Sequence, residues 1–199
     1  MFEVAEYIGI VAFAMSGFFI ASRAKLDMLG ALISTFLTAL GGGIIRDISV
    51  GVKPFTFSND LPGIIVLSVM IMMIVFRFHK RNSIENKFYF ILSDSLGLAS
   101  FSISGALIAI ENDLNFTGVL AISFITAVGG GIVRDVIINE VPFVFKTGFY
   151  GTVALLIGVI VYILDSFEYI NIMSLIVLFV FGVVLRMVAF YKKWSIPLR

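Results

Sequence analysis

The chain has 199 residues, of which 60% are hydrophobic and 14% are charged, and its mean hydropathy is +1.09. Soluble domains carry about a quarter charged residues, so this composition excludes an ordinary soluble domain and predicts a polytopic membrane protein in contact with lipid. The formal net charge of +1 gives no sign of a nucleic-acid partner, and the absence of cysteine excludes disulfides, thiol catalysis and thiolate metal sites.

Seven apolar segments are long enough to cross a hydrocarbon core of ~30 Å. In chain order they are residues 4–21, 28–46, 63–79, 89–110, 117–138, 148–164 and 170–190. Little sequence lies outside them, so residues 1–199 are predicted to form one all-α transmembrane domain. The function of the protein is therefore expected to lie within the membrane.

The first three segments and the next three are copies of one another. Residues 4–57 align without a gap to residues 92–145 and share 21 identities in 54 positions. We therefore divide the chain into a first repeat (1–80), a second repeat (88–166) and a seventh helix with a cytoplasmic tail (167–199). Because each copy has an odd number of spans, the second should enter the membrane from the opposite face. This predicts a three-plus-three inverted-topology repeat followed by a seventh helix.

Basic residues are unevenly distributed over the predicted loops. Most lysines and arginines lie in the loops after the first, third and fifth spans and near the C-terminus, whereas Arg46 and Lys53 lie on the other side. Cytoplasmic loops are enriched in basic residues. The N-terminus is therefore predicted to be outside and the C-terminus in the cytoplasm.

A run of three glycines late in the second span recurs 88 positions later in the fifth span. The two runs are Gly41, Gly42, Gly43 and Gly129, Gly130, Gly131. Successive glycines favour an unwound or kinked helix, and irregular backbone within a membrane is tolerated where it lines a cavity. We therefore expect both runs to line a pathway, with carbonyl groups that replace cation hydration. The alternative is that the glycines only allow close helix packing.

Charged residues near the span ends also recur in both repeats. We expect Glu6, Arg46 and Asp47 to gather at the outer face, and Asp94, Arg134 and Asp135 at the inner face. Ionisable groups in a membrane usually line a cavity or pair with one another. These clusters are either the two mouths or gates of one pathway, or helix-end salt bridges that also set the topology.

Four hydroxyl residues are matched between the repeats: Ser16, Ser104, Thr38 and Thr126. They could supply a polar lining to the pathway, or they could hydrogen-bond to their own helices. The sequence has no phosphate loop, metal-ligand spacing or nucleophile–base pair, so we expect neither an enzyme nor a metal site. No cofactor is expected.

The repeated Gly-Gly-Gly-x-x-Arg-Asp motif with its following proline resembles that of prokaryotic trimeric intracellular cation (TRIC) channels. This family overlaps a two-copy bacterial membrane family proposed to transport glycine. The resemblance covers the whole chain and implies a homotrimer in a prokaryotic inner membrane, with one pore per protomer lined by glycine-kinked helices two and five. The implied permeant ions are potassium or sodium. Arg134 is the basic residue near the second glycine run, with no lysine beside the glycines, so phosphoinositide regulation is not inferred.

Two functions therefore stand as hypotheses. The leading one is a potassium-permeable channel, whose selectivity over sodium should be modest because the sequence lacks a Thr-Val-Gly-Tyr-Gly filter. The alternative is a secondary transporter for glycine or a similar small zwitterion, since inverted repeats with broken helices are also typical of alternating access. A structural membrane subunit is a third and weaker hypothesis.

Overall fold

The computed structural model describes residues 2–78, 83–146 and 149–194, with the side chains of residues 83–86 excepted. These residues form an all-α protein of nine helices: α1 (Phe2–Arg23), α2 (Met28–Ser49), α3 (Phe55–Ser58), α4 (Leu61–Val75), α5 (Ser83–Glu111), α6 (Phe116–Ile137), α7 (Phe143–Lys146), α8 (Tyr150–Ser166) and α9 (Ile172–Tyr191). The predicted end of the first repeat, at residue 80, and the last five residues of the tail lie outside the described part of the chain.

Five described helices are long and apolar enough to cross a membrane, namely α1, α2, α6, α9 and the Lys87–Glu111 part of α5. The helices α4 and α8 are also apolar but have only 15 and 17 residues. All seven lie at the positions of the predicted spans. The protein is thus an all-helical membrane protein with five clear spans.

The two repeats begin their second helices in the same way. The Asp27 side chain accepts a hydrogen bond from the Gly30 N–H at 2.7 Å, and the Asn115 side chain accepts one from the Gly118 N–H at 2.9 Å. Both are N-caps, in which a short polar side chain satisfies a free backbone donor of the first turn. Matched residues therefore start α2 and α6.

Two short helices, α3 and α7, follow the matched prolines Pro54 and Pro142 and were not predicted. The chain leaves α2 and α6 through residues with positive φ, Gly51 at +78° and Asn139 at +59°, which are also repeat equivalents. These left-handed residues reverse the chain direction, and each proline then starts a single helical turn. Equivalent turns thus lead from α2 to α4 and from α6 to α8.

The centre of the bundle is formed by α1 packed on α5 and α2 packed on α6. The rings of Phe13 and Phe101 meet edge to face with centroids 5.1 Å apart. The Phe101 ring lies against the backbone of Gly9 and the Phe13 ring against Gly97, where any side chain would overlap the ring. These contacts exchange under the repeat, so the two halves meet through equivalent surfaces.

The last helix, α9, packs against α5 and α8. Its outer side exposes large apolar residues: Ile172, Met173, Ile176, Val177, Val180 and Val184. This surface suits contact with lipid chains or with another apolar surface. The polar part of the molecule accordingly lies on the inner side of the bundle.

Candidate functional site

Helices α1, α2, α5 and α6 bury an unusual number of polar side chains. They include Glu6, Ser16, Ser34, Thr35, Thr38, Arg46, Asp47, Asp94, Ser104, Thr126, Arg134 and Asp135. Burying unpaired charges is costly, so such groups in a membrane protein are paired or line a polar cavity. The charged ones form two groups: the Arg46 cluster, of Glu6, Arg46 and Asp47 with Ser104, and the Arg134 cluster, of Asp94, Arg134 and Asp135.

The Arg46 cluster is a compact hydrogen-bonded network of Glu6, Arg46, Asp47 and Ser104. The Arg46 guanidinium donates to both carboxylate oxygens of Glu6, at 2.6 and 3.2 Å, and its Nε donates to Asp47 Oδ1 at 2.7 Å. The Ser104 hydroxyl donates to Glu6 Oε2 at 2.6 Å and lies 2.8 Å from Arg46 Nη1. Because the Arg46 side chain is 0% exposed, this bidentate pairing is what compensates its burial.

The Arg134 cluster repeats only part of this arrangement. Arg134 Nε and Nη2 lie 2.8 and 2.7 Å from Asp135 Oδ1. Asp135 Oδ2 accepts the Phe143 N–H at 2.7 Å, as Asp47 Oδ2 accepts the Phe55 N–H at 2.8 Å. Each aspartate thus joins its arginine to the turn that follows it. The remaining donor, Arg134 Nη1, lies 3.4 Å from Thr38 Oγ1, which is a weak contact.

Asp94 is the repeat equivalent of Glu6, but it makes no comparable ion pair with Arg134 within the described residues. Asp94 Oδ1 accepts a hydrogen bond from Ser16 at 3.3 Å, and Oδ2 has no hydrogen-bond partner in the described part of the chain. The structure therefore brings Glu6, Arg46 and Asp47 into one ion-paired network, whereas the carboxylate of the equivalent Asp94 does not join Arg134 and Asp135. The side chain of Asp94 is shorter than that of Glu6 by one methylene.

Arg186 of α9 is a functional candidate that the sequence analysis missed. It is 0% exposed, and its Nε, Nη1 and Nη2 have no hydrogen-bond partner among the described residues. Its guanidinium lies over the Tyr150 ring at 4.7 Å and near the rings of Phe143 and Phe190 at 5.9 and 5.5 Å. It is also close enough to interact electrostatically with Asp94. A lone arginine inside the apolar segment 170–190 was the signal that could have identified it.

Neither glycine run interrupts its helix. The helix α2 continues from Met28 to Ser49 and α6 from Phe116 to Ile137. The expected unwinding at residues 41–43 and 129–131 is therefore wrong, and a kink at these glycines stays a prediction. The physical reason is that the backbone N–H and C=O groups remain hydrogen-bonded within each helix. Because glycine has no side chain, the two helices can approach closely at these positions.

The glycines bring the backbones of α2 and α6 into direct contact. A Cβ atom on Gly41 would lie 3.2 Å from Gly130 Cα, and one on Gly130 would lie 2.6 Å from the Leu37 carbonyl oxygen. A Cβ atom on Gly42 would overlap the Thr126 carbonyl oxygen. The close-packing alternative accounts for these contacts. Its sequence signal was the four-residue spacing of a small residue and a glycine, from Thr38 to Gly42 and from Thr126 to Gly130.

The last glycine of each run, Gly43 or Gly131, has different surroundings in the two repeats. A Cβ atom on Gly43 would lie 2.8 Å from Glu6 Oε1, whereas the only contact of a Cβ atom on Gly131 would be Arg134 Nη2 at 3.8 Å. The space beside Gly43 is filled by the ion pair. The equivalent space beside Gly131 is wider because no carboxylate reaches it.

The four matched hydroxyls have two different roles. Ser16 and Ser104 donate to the carboxylates of Asp94 and Glu6 in the opposite repeat. Thr38 and Thr126 donate to carbonyl groups one turn earlier in their own helices, both at 2.6 Å. The serines therefore connect the repeats, and the threonines keep their hydroxyls within the helix.

A cavity of about 180 Å³ opens beside the Arg134 cluster. Its lining includes Arg23, Asp135, Phe143, Glu140 and Lys146. The exposed Lys146 donates a hydrogen bond to Glu140 at 2.9 Å, and this hydrogen bond and charge lower the pKa of that carboxyl. The cavity is the polar approach to Asp135. The described residues contain no group of three or more His, Cys, Asp or Glu side chains arranged to hold a metal ion.

Two solved structures of ion channels share this fold. A prokaryotic TRIC channel crystallised in 0.5 M KCl matches with a TM-score of 0.89 and 31% identity, over 98% of both chains. A second structure, from work on conductance through TRIC cation channels, matches with a TM-score of 0.85 and 34% identity, over 100% of this chain and 97% of the other. The arrangement described above is therefore a TRIC-like fold.

The sequence relatives identify the family. The sequence profile of a family described as glycine transporter matches the chain twice, over residues 3–80 and 91–166. The UPF0126 membrane protein YvgT of Bacillus subtilis is 35% identical over 200 residues, which cover 99% of this chain and 96% of that protein. The UPF0126 inner membrane protein YadS of Escherichia coli is 30% identical over 155 residues, which cover 78% and 74% of the two chains. The chain belongs to the glycine transporter family, whose fold here is that of the prokaryotic TRIC channels.

Proposed function

We propose that this protein is a monovalent cation channel permeable to potassium, with one pore in each protomer between α2 and α6. One observation carries the proposal. The two glycine helices meet backbone to backbone between two buried arginine–aspartate clusters, in a fold shared with TRIC cation channels. Potassium and sodium are the expected permeant ions, no cofactor is required, and the chain is not expected to be an enzyme.

The pathway would run past both clusters and the glycine contact. The carboxylates of Glu6, Asp47, Asp94 and Asp135 would attract cations, while Arg46 and Arg134 would act as barriers or tethers. Both arginines are buried and hydrogen-bonded, so permeation requires their side chains to move or the helices to separate. Glycines suit such movement because contact between bare backbones involves no interlocked side chains.

An inverted repeat of three plus three spans, with α9 as the seventh, is the proposed topology. The reciprocal Phe13–Gly97 and Phe101–Gly9 contacts support it, as do the equivalent caps of α2 and α6. The proposed orientation has the N-terminus outside and the C-terminus in the cytoplasm of a prokaryotic inner membrane. Because the chain has no cysteine, single cysteines at Lys53 and Lys87 would be clean topology labels. Labelling of both from the same side of intact cells would contradict the proposal.

Self-association as a homotrimer is also proposed. One of the matching structures is described as a trimeric intracellular cation channel orthologue from Rhodobacter sphaeroides, at 26% identity and a TM-score of 0.88 over 97% of this chain and 98% of the other. The exposed apolar residues of α9 and other outer helices leave ample surface for lipid and for copies of the chain. The mass of the detergent-solubilised protein, measured by light scattering, tests this proposal.

The function is tested by single-channel recording of the purified protein in planar bilayers under a potassium chloride gradient. We expect discrete currents without glycine that reverse near the potassium potential. The matched control is Gly42→Leu, whose side chain would collide with α6 and should abolish or strongly reduce the current. In a second recording, with potassium chloride on one side and sodium chloride on the other, strong selectivity for potassium over sodium would contradict the modest selectivity expected. Silent bilayers would contradict the channel itself.

A secondary transporter for glycine or a similar zwitterion is the alternative. The description of the family, matched in both halves of the chain, favours it. The continuous α2 and α6 lack the half-helix N-termini that bind substrate carboxylates in many carriers, so this alternative has less structural support. Saturable glycine uptake by proteoliposomes, lost in Gly42→Leu and Gly130→Leu and accompanied by silent bilayers, would replace the channel with the carrier.

A further inference from the structure

Arg186 introduces a charge difference between two clusters that the sequence duplication would make equivalent. The Arg46 cluster contains one arginine and two carboxylates, all buried. The Arg134 cluster has the same formal composition, with Asp94 in place of Glu6. Arg186, which belongs to α9 and therefore has no counterpart in the first repeat, adds a second buried cation beside Asp94.

The position of Arg186 lets its positive charge act on Asp94. Its guanidinium has no hydrogen-bond partner in the described ranges, and it is held over the Tyr150 ring rather than in an ion pair within 4 Å. Asp94 Oδ2 likewise has no hydrogen-bond partner there. Tyr150 interacts with both Asp94 and Arg186, and the two opposite charges act on each other without forming an ion pair within 4 Å. Buried charges of this kind are only weakly screened by salt.

With these side chains ionised, the two ends differ in formal charge. One negative charge remains at the Arg46 cluster, because Arg46 balances only one of its two carboxylates. No net charge remains among the buried groups of the other end, where Arg134 and Arg186 balance Asp94 and Asp135. A negative mouth concentrates cations, and a neutral mouth does not.

We propose that Arg186 makes cation entry asymmetric, so that the open channel passes more current from the Arg46 end than from the Arg134 end. This inference rests on the proposed channel function and adds a residue that determines the direction of easier flow. Arg186 acts through the field at Asp94 and is not placed in contact with the ion. Its role arises from α9, the helix outside the duplication.

The test is the current–voltage relation of single channels in symmetrical potassium chloride at low salt. We expect unequal currents at equal positive and negative voltages in the unmodified protein, and Arg186→Gln should move their ratio toward one by about three- to tenfold. Arg186→Lys keeps the charge and should keep the ratio. A channel inserted the other way reverses the sign of the asymmetry but not its size.

A charge cycle with Asp94 separates this electrostatic role from a structural one. Asp94→Asn should increase the asymmetry, because it leaves the Arg134 end positive, and Asp94→Asn with Arg186→Gln should restore the original ratio.

A merely structural role predicts that Arg186→Lys and Arg186→Gln behave alike, and that result would overturn the inference. An unchanged ratio in a conducting Arg186→Gln or Asp94→Asn channel would overturn it too. If Arg186→Gln does not fold, Arg186→Lys and Asp94→Asn still decide the matter. Absence of current in the unmodified protein would instead count against the channel function.

Discussion

The Arg46 and Arg134 clusters come from duplicated sequence, yet only one of them forms a closed ion-pair network. Both keep the arginine–aspartate pair and the hydrogen bond from a phenylalanine N–H to the same aspartate. They differ where Glu6 is replaced by Asp94. Glu6 spans the distance to its arginine with two hydrogen bonds, whereas Asp94 is one methylene shorter, accepts a hydrogen bond from Ser16 and forms no ion pair with Arg134 within the described residues. The loss of one methylene group therefore accounts for the weaker hydrogen bonding of Arg134 compared with that of Arg46.

This difference has a consequence for motion. Opening at the Arg46 cluster requires breaking a buried bidentate ion pair, which is a large cost in a medium of low dielectric constant. The Arg134 guanidinium has one strong partner, its neighbour Asp135, and one weak contact with Thr38. Under the proposed function, the Arg134 end is therefore the end expected to move first.

The largest expected effect is the loss of Glu6. Glu6→Gln would leave the buried Arg46 charge with only Asp47 to compensate it, so the free energy of unfolding should fall by about 3 kcal/mol. Asp94→Asn should lower it by less than Glu6→Gln does, because Asp94 makes one long hydrogen bond with Ser16 and no ion pair within the described residues, although its charge faces Arg186. The measurement is equilibrium unfolding in mixed detergent micelles followed by circular dichroism. Equal losses in the two variants would show that the clusters are energetically alike.

The last glycine of each run should give a second, smaller difference in stability between the two clusters. Gly43→Ala places a methyl group 2.8 Å from Glu6 Oε1, so it should lower the free energy of unfolding by about 1–2 kcal/mol. Gly131→Ala meets only Arg134 Nη2 at 3.8 Å and gains helix propensity, so it should be neutral or stabilising by up to about 1 kcal/mol. Thermal unfolding of both variants in one detergent measures the difference. A destabilised Gly131→Ala would mean that the Arg134 cluster is packed as closely as the Arg46 cluster.

Asp94→Glu would make the second cluster resemble the first. The added methylene has room beside Gly131, and the longer carboxylate should reach Arg134 as Glu6 reaches Arg46. We expect a rise in unfolding free energy of about 1 kcal/mol and a lower open probability in bilayer recordings, because the Arg134 guanidinium would be held more firmly. A channel that opens more often after this change would argue against Arg134 as the mobile barrier.

The exposed ion pair at the Arg134 end should matter least. Lys146 lowers the pKa of Glu140, so any stability from this pair is present above the unfolded pKa of the carboxyl and disappears as the pH falls through its folded value. Both side chains are largely exposed, so screening should make the contribution too small to measure. Lys146→Met should therefore leave the melting temperature unchanged at pH 7 and at pH 4. A clear loss confined to pH 7 would show that the pair is less screened than its exposure indicates.

The sequence predicted the helices better than it predicted their contacts. Each apolar segment lies at the position of a helix, although α4, predicted over 63–79, ends at Val75. The short helices α3 and α7 were missed because each is a single turn without an apolar period of its own. The glycine runs were assigned to unwound or kinked backbone, because local helix propensity does not show that another helix packs closely against the same glycines.

Arg186 was missed for a related reason. The repeat drew attention to matched residues, and Arg186 has no match, because α9 lies outside the duplicated segments. Its burial beside Asp94 depends on how α9 packs against α8 and against α5, and α5 is distant in the sequence. The lone charge in an apolar segment was visible, but its neighbours were not.

The sequence by itself determined the membrane class, the helical architecture and the equivalence of the two halves, because these depend on composition, segment length and matched residues. Only the tertiary structure decided that α2 and α6 touch through their glycines, that Glu6 closes one cluster while Asp94 leaves the other open, and that α9 adds a cation to the open one. The physical reason is that each of these depends on a distance between helices. Whether a side chain one methylene longer reaches its partner, or whether a Cβ atom fits between two helices, depends on packing across the whole bundle. Such distances leave no periodic pattern in the sequence.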